Sequence, residues 1–446
     1  MIAYIDDFLN VFLGWPLLIY VGIVCVISTL LLAGIQLFYL PTAIRLILFP
    51  KKKSGAVQAA KGDMTPVQAF VNTLSTNLGN GTIAGMATAV FAGGPGAAVW
   101  FVISAFLLMS VRFVEVFVSA LYANKAKGSA LGGPMLYLQE APMGRFLAVL
   151  YAILCLFYGF IGGGAIQANS ICLGLQTAFG VPAYAVAAAL ALFVLYVGFG
   201  GAARVVKISD MLVPVKVLVF FGSALVILAY HVTAIPAALI LMFKAALNPA
   251  AAHAALIGIG LQQAIQFGLL RAVFASESGL GTAAVLFGST GNTKPAESAL
   301  LGMMSTFVSA IACFMLALCI VVTGTWSSGL TSTALTVATF NTTFGSLGGF
   351  LVTFLSIVFG LGVTVSYAYI VRACWLVIVP KAYESGYVLA YAAFVAFGAL
   401  AEVPFVWKCA DFVQACMLYM NLTALLLFVF KLRGVMLSET KQLTQE

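Results

Sequence analysis

Apolar runs of about 20 residues, the length a helix needs to cross a bilayer, recur along almost the whole chain. Eleven such stretches occur, at roughly 12–40, 66–92, 97–123, 146–172, 183–200, 211–230, 257–287, 298–323, 349–379, 387–404 and 411–430. Charged residues make up only 8% of the 446, against about 25% in a soluble domain. That is too few to cover the surface of a soluble protein of this size. The chain therefore reads as an all-α polytopic membrane protein with about eleven transmembrane helices.

The formal charge of +8 does not point to nucleic acid. The basic residues cluster at the ends of apolar runs, and basic patches interleaved with aromatics are missing. Arg45, Lys51, Lys52, Lys53 and Lys61 follow the first run, and Lys125, Lys127 and Arg145 follow the third. Arg204 and Lys207 follow the fifth, Lys294 the seventh, Lys381 the ninth, and Lys431, Arg433 and Lys441 the last. Only Lys244 and Lys408 fall on the other side, so fifteen stand against two. Cytoplasmic loops carry the excess of Lys and Arg, which places the N-terminus outside and the C-terminus in the cytoplasm. Asp6 and Asp7 stand where a signal peptide has basic residues, so the first run reads as a retained span. The eight cysteines form no CxxC pair, and His231 and His253 have no Cys or carboxylate cluster beside them. The cysteines read as buried small hydrophobes rather than a metal site. No paired carboxylates or nucleophile–His arrangement suggests an enzyme.

Two of the apolar runs are interrupted by poor helix formers. The second contains NTLSTNLGNGTIAGMATA, with Asn77, Gly79, Asn80, Gly81 and Thr82 at its centre. The seventh contains RAVFASESGLGTAAVLFG, with Ser276, Glu277, Ser278, Gly279 and Gly281. Glycine in a helix interior costs roughly 1 kcal/mol, so stability does not explain either. The runs lie five spans apart and point in opposite directions, as expected of a 5+5 inverted repeat opening each half on a broken helix. The chain then divides into 1–62, an extra N-terminal helix with a basic loop; 63–256, the first five-helix unit with an outer loop; 257–432, the inverted second unit; and 433–446, a cytoplasmic tail. The outer stretches 231–256 and 325–348 are apolar enough to form short helices.

Unwound backbone at membrane depth is tolerated only where protein or water satisfies it. Half-helix N-termini offer N–H groups and partial positive charge to an anion, and half-helix C-termini offer carbonyls to a cation. The glycines let a ligand approach the backbone. Small residues also serve helix packing; that, or a loop turn, is the reading preferred for Gly85, Gly93, Gly94, Gly132 and Gly133.

The segments GNGTIAGMATAVFAGGPGAAVW, GGPMLYL, IQANSI, FASESGLGTAA and GMMSTFVSAIACFMLALCIVVTG resemble, in order and spacing, those of the alanine/glycine:cation symporter family, the sodium:alanine symporters. The resemblance implies a fold similar to the leucine transporter's inverted repeat with one extra N-terminal helix. It also implies a bacterial or archaeal inner-membrane protein that imports alanine or glycine with sodium, by alternating access and with no other cofactor. Where the family reads GTGN, this chain has Gly79-Asn80-Gly81-Thr82; its SNEAGLGS appears as Ala275 to Thr282. The ninth run reads FGLGVTVSYAY, without the family's threonine pair and tryptophan.

On this reading the substrate is held by Asn77, Gly79, Asn80, Gly81 and Thr82, by Gln167, by Phe274 as an apolar lid, and by Ser276, Ser278 and Gly279. Gln167 is carried over from a family position that faces the pocket; Asn169 beside it is equally well read as interhelical glue. The cation candidates are Thr76, Thr364 and Ser366, whose hydroxyls suit a hard cation. Of the intramembrane charges Arg112, Glu115, Lys216, Arg271, Glu277 and Arg372, the first two stand at i and i+3 and can pair. Glu277 either ties the unwound backbone together by accepting hydrogen bonds or carries a proton. The first role is favoured, since the family's sodium-driven members have a carboxylate there too. Proton-coupled symport stays open beside sodium. So does an uncoupled channel or sensor, although a channel favours continuous polar rows. The partners are the substrate, the cation and the bilayer, with no nucleic acid. Nothing in the sequence sets the oligomeric state, and a monomer is compatible with it.

Overall fold

In the computed structural model of the protein, residues 12, 14–49, 62–125, 132–247, 261–292, 294–401 and 403–445 are described, and every regular element among them is helical. Asp6, Asp7, Lys51, Lys52, Lys53, Lys61, Lys127 and His253 lie outside the described residues. In chain order the main helices begin with α1 (Trp15–Leu31), α2 (Leu40–Leu48), α3 (Pro66–Asn77), α4 (Met86–Gly93) and α5 (Ala97–Lys125). Next come α6 (Gly144–Tyr158), α7 (Ile166–Phe179), α8 (Ala183–Phe199), α9 (Gly201–Tyr230) and α10 (Ile235–Leu247). Then follow α11 (Leu261–Ser276), α12 (Thr282–Gly288), α13 (Pro295–Val322) and α14 (Ser332–Phe344). The last are α15 (Leu347–Ile378), α16 (Gly386–Leu400) and α17 (Val403–Gln445).

Among the described residues, six helical segments are long and apolar enough to cross a membrane: 97–125, 144–179, 201–230, 295–322, 347–378 and 408–443. Shorter apolar helices accompany them, including α1, α8 and α16. Large apolar side chains such as Leu192, Leu218, Leu225 and Leu389 point outward, as they do when the solvent is lipid. The inside is built around α5, in which every residue from Leu108 to Ala120 is buried. A helix buried on every face must be enclosed by others, and α1, α11, α12 and α13 pack around this one. On the other side α15 packs against α6, α7, α9 and α14.

α3 starts where its sequence says. Thr65 Oγ1 accepts from Gln68 N–H at 3.2 Å, Gln68 Oε1 accepts from Thr65 N–H at 2.9 Å, and Pro66 follows at the first helical position. This is a capping box with the proline where its missing N–H does no harm. The stretches 231–256 and 325–348, expected from their sequence to form short helices, contain α10 and α14. The sixth span starts earlier than its hydropathy suggests: α9 begins at Gly201, so Arg204 and Lys207 lie within the helix. Arg204 donates back to Tyr196 O and lies over the Tyr196 ring, 4.2 Å from its centroid, so its charge is accommodated without a loop. The segment beyond 432, read as a tail, continues α17 to Gln445.

Candidate functional site

The first break separates α3 from a π-wound turn, Gly81–Gly85. Leu78 ends the helix with φ −91° and ψ 72°. Beyond it, Asn80 N–H donates to Gln167 Oε1 at 3.3 Å and Thr82 N–H to Gly79 O at 2.8 Å. A Cβ at Gly79 would stand 2.7 Å from Val363 Cγ2, and one at Gly81 would stand 3.2 Å from Arg271 Nη2. The glycines are thus what lets α15 and α11 approach the opened backbone.

The second break, between α11 and α12, is built differently. Glu277, Gly279 and Gly281 have φ of 51°, 84° and 96°, left-handed values that only glycine adopts freely. Side chains from three other helices hold the backbone they leave open. The Arg112 guanidinium donates to Ser276 O and pairs with Glu115 Oε1 at 3.0 Å. Glu115 Oε2 accepts Gly279 N–H at 2.7 Å, Asn421 donates to Gly279 O at 2.8 Å, and Tyr151 donates to Leu280 O at 2.7 Å. The Arg112–Glu115 pair therefore bridges both ends of the break. Glu277 accepts from Tyr367 Oη at 2.7 Å and from Thr282 Oγ1 at 2.8 Å.

Between the breaks lies a cavity of about 70 Å³. A water occupies about 10–15 Å³ of such space, so about five to seven heavy atoms fit. Its wall includes Thr76, Asn77, Gly79 and Gly81 from the first break, and Arg271, Phe274 and Glu277 from α11 and its end. Tyr158 and Gln167 come from the α6–α7 segment, Val363 from α15, and Asp411 and Gln414 from α17. Arg271 and Gln414 are more than nine-tenths buried, and Arg271 Nε and Gln414 Nε2 have no hydrogen-bond partner among the described residues. Buried donors are normally satisfied, so these two await an acceptor.

Of the residues read from the sequence, Thr76, Asn77, Gly79, Gly81, Gln167, Phe274 and Glu277 meet at this cavity. The others are placed behind it. Asn80 Oδ1 accepts from Ser356 at 2.7 Å, and Thr82 Oγ1 donates to Asn77 O at 3.1 Å. Ser276 Oγ accepts from Ser278 N–H at 3.3 Å, Ser278 Oγ bonds Thr306 Oγ1 at 2.9 Å, and Gly279 is held by Glu115 and Asn421. Thr364 Oγ1 donates to Gly360 O at 3.0 Å, and Ser366 Oγ to Asn72 Oδ1 at 3.1 Å. Asn169 bonds the carbonyls of Gly398 and Ala401 at 3.0 and 2.9 Å, the interhelical glue of the two readings. Sequence reasoning missed Tyr158, Asp411 and Gln414 and gave Arg271 no role at the site. The signal was there for Asp411, a carboxylate at the start of an apolar run. Among the described residues no group of three or more His, Cys, Asp or Glu could hold a metal ion.

A helical membrane protein with two interrupted helices around a small cavity lined by both polar and apolar side chains has the architecture of a secondary transporter. The fold is similar to that of a Na+-coupled sialic acid symporter in a substrate-bound outward-open state. That structure is 14% identical, with a TM-score of 0.52 over 94% of this chain and 85% of that one. The sequence matches the sodium:alanine symporter family over residues 1–445, and the chain belongs to that family. It is 33% identical over 450 residues to an uncharacterized transporter of Haemophilus influenzae, covering 100% of this chain and 96% of that protein. It is 31% identical over 423 residues to the sodium/alanine symporter AgcS of Methanococcus maripaludis, covering 93% and 90%. The protein is thus a multi-pass membrane transporter for cation-coupled amino-acid transport, and not an enzyme.

Proposed function

We propose that the protein imports a small neutral amino acid, alanine or glycine, together with sodium. The observation that carries this is the cavity between the breaks: room for about five to seven heavy atoms, with Arg271 and Asp411 both on its wall. A guanidinium matches a carboxylate bidentately, and a carboxylate matches an ammonium, so the pair suits a zwitterion. The two orphan donors, Arg271 Nε and Gln414 Nε2, add sites for carboxylate oxygens. Phe274 closes the apolar side. Counted formally, Arg271 set against Asp411 and Glu277 makes the wall one charge negative. A bound zwitterion does not change that balance, whereas a co-transported cation does, and Thr76 and Glu277 stand together where its oxygen ligands would be needed.

The reading carries with it an eleven-span chain, an extra helix followed by a 5+5 inverted repeat, with the N-terminus outside and the C-terminus in the cytoplasm. It is supported by the opposed breaks at α3 and α11 and by the fifteen-to-two distribution of basic residues. Proton coupling is the second reading, favoured by Asp411 and Glu277 as cavity carboxylates. Labelled alanine uptake into proteoliposomes, under a sodium gradient at equal pH and under a pH gradient without sodium, separates the two. Uptake under neither gradient, with glycine also inactive, would overturn the substrate as well.

A further inference from the structure

Among the described residues Lys216 is the one fully buried lysine, and the cavity does not use it. It projects from α9 and ends against the cut end of α3. Its ammonium donates to Ser75 O at 3.0 Å, Leu78 O at 3.0 Å and Ser75 Oγ at 3.2 Å. It also lies 5.6 Å from the centroid of the Phe359 ring on α15. A lysine has three protons to give, and all three are given to oxygen. No carboxylate among the described residues forms an ion pair with it.

These oxygens have a particular origin. In an unbroken helix Leu78 O would accept from Thr82 N–H, but that donor turns to Gly79 O at 2.8 Å. The break thus frees carbonyls at the end of a helix, where partial negative charge collects. Carbonyls of this kind are what broken-helix transporters offer a coupling cation. α15 closes the same place from the far side: a Cβ at Gly362 would fall 2.9 Å from Ser75 Oγ and 3.0 Å from Lys216 Nζ. An enclosed ring of oxygens under an aromatic face, with no acid, is a seat for a cation, and a cation tethered to the chain is in it. The pairing that buried charges otherwise require is replaced here by carbonyl dipoles.

We propose that the Lys216 ammonium is a built-in cation that fills the seat between the cut end of α3 and α15, so that this chain takes no free ion there. The co-transported cation then binds at the carboxylate wall of the cavity. This inference rests on the transport reading above, but it concerns a separate site.

The test uses the full-length chain in proteoliposomes and in detergent. Lys216→Ala opens the seat. It should cut alanine uptake at least tenfold at a sodium concentration that saturates the wild type. Raising sodium or lithium further should restore uptake several-fold in this variant alone. Lys216→Met fills the seat with an apolar chain and should lose uptake without rescue by either ion. In detergent, the melting temperature of Lys216→Ala should rise with sodium or lithium, relative to choline, by several degrees more than that of the wild type. Wild-type uptake and ion dependence in Lys216→Ala or Lys216→Met would overturn the proposal. So would full uptake in Lys216→Gln, because hydrogen bonding without charge would then suffice. An ion response of the Lys216→Ala melting point equal to the wild type's would do the same. If wild-type protein takes up neither alanine nor glycine, the substrate reading fails, and the melting comparison still decides the seat.

Discussion

Tyr367, in the middle of α15, donates its hydroxyl to Glu277 Oε1 at 2.7 Å, joining the helix that faces the first break to the strained residue that opens the second. With Thr282 on the other oxygen at 2.8 Å, the carboxylate is held by two hydroxyls at a residue whose φ is 51°. A non-glycine residue stays in such a conformation only when its surroundings fix it.

Removing either partner should therefore act on stability first. A hydrogen bond to a charged group contributes about 1.5–3 kcal/mol, so Tyr367→Phe should lower the melting temperature in detergent while leaving the order of substrate preference unchanged. Glu277→Gln should lower melting and expression more than it alters the pH profile of uptake. An unchanged melting temperature together with a lost pH dependence would instead make Glu277 the coupling residue.

Gly81 should tolerate no bulk. Its missing side chain faces the Arg271 guanidinium at 3.2 Å. Gly81→Val should abolish uptake while expression stays near the wild-type level. Normal uptake by that variant would move the site elsewhere.

Cavity size sets the next expectation. Glycine, alanine and serine should compete with labelled alanine, while leucine and glutamate should not. Phe274→Ala removes the apolar lid and should admit leucine as a competitor. Strong competition by glutamate with none by glycine would sink the small-zwitterion reading.

The charged wall gives a sharper test. Asp411→Asn and Arg271→Gln should each weaken apparent alanine affinity tenfold or more, which corresponds to about 1.4 kcal/mol for each tenfold step. Asp411→Asn should spare folding better than Arg271→Gln, because Asp411 is half-buried and Arg271 is 8% exposed. Unchanged affinity in both variants would remove the pair from substrate recognition.

Much of this was legible in the sequence, because lipid makes local rules strong. A span must be apolar for about 20 residues, so hydropathy locates helices well, and glycine and asparagine inside such a run mark a break. Arg112 and Glu115 were legible as a pair because helix geometry alone joins positions three apart. What they grip, Ser276 O and Gly279 N–H on another helix, was not. The same limit hid Asp411 and Gln414 from the site and left Lys216 as an unexplained charge: each acquires its role through a residue more than a hundred positions away. The start of α9 was missed for another reason. Hydropathy falls at Arg204 and Lys207, but a helix extending beyond the hydrocarbon no longer needs apolar residues.

The π-wound stretch Gly159–Ala165 between α6 and α7 has a consequence for motion. Its glycines let Tyr367 lie against it, with a Cβ at Gly163 falling 2.2 Å from Tyr367 Cγ. A π turn holds one residue more than an α turn. Returning that residue to ordinary α winding would rotate all that follows by about 100° and advance it about 1.5 Å. Gln167 would swing off Asn80 N–H, and the ledge beneath Tyr367 would turn away with it. A rewinding of this segment would therefore disturb the Gln167 bond at the first break and the Tyr367 contact near the second in one movement.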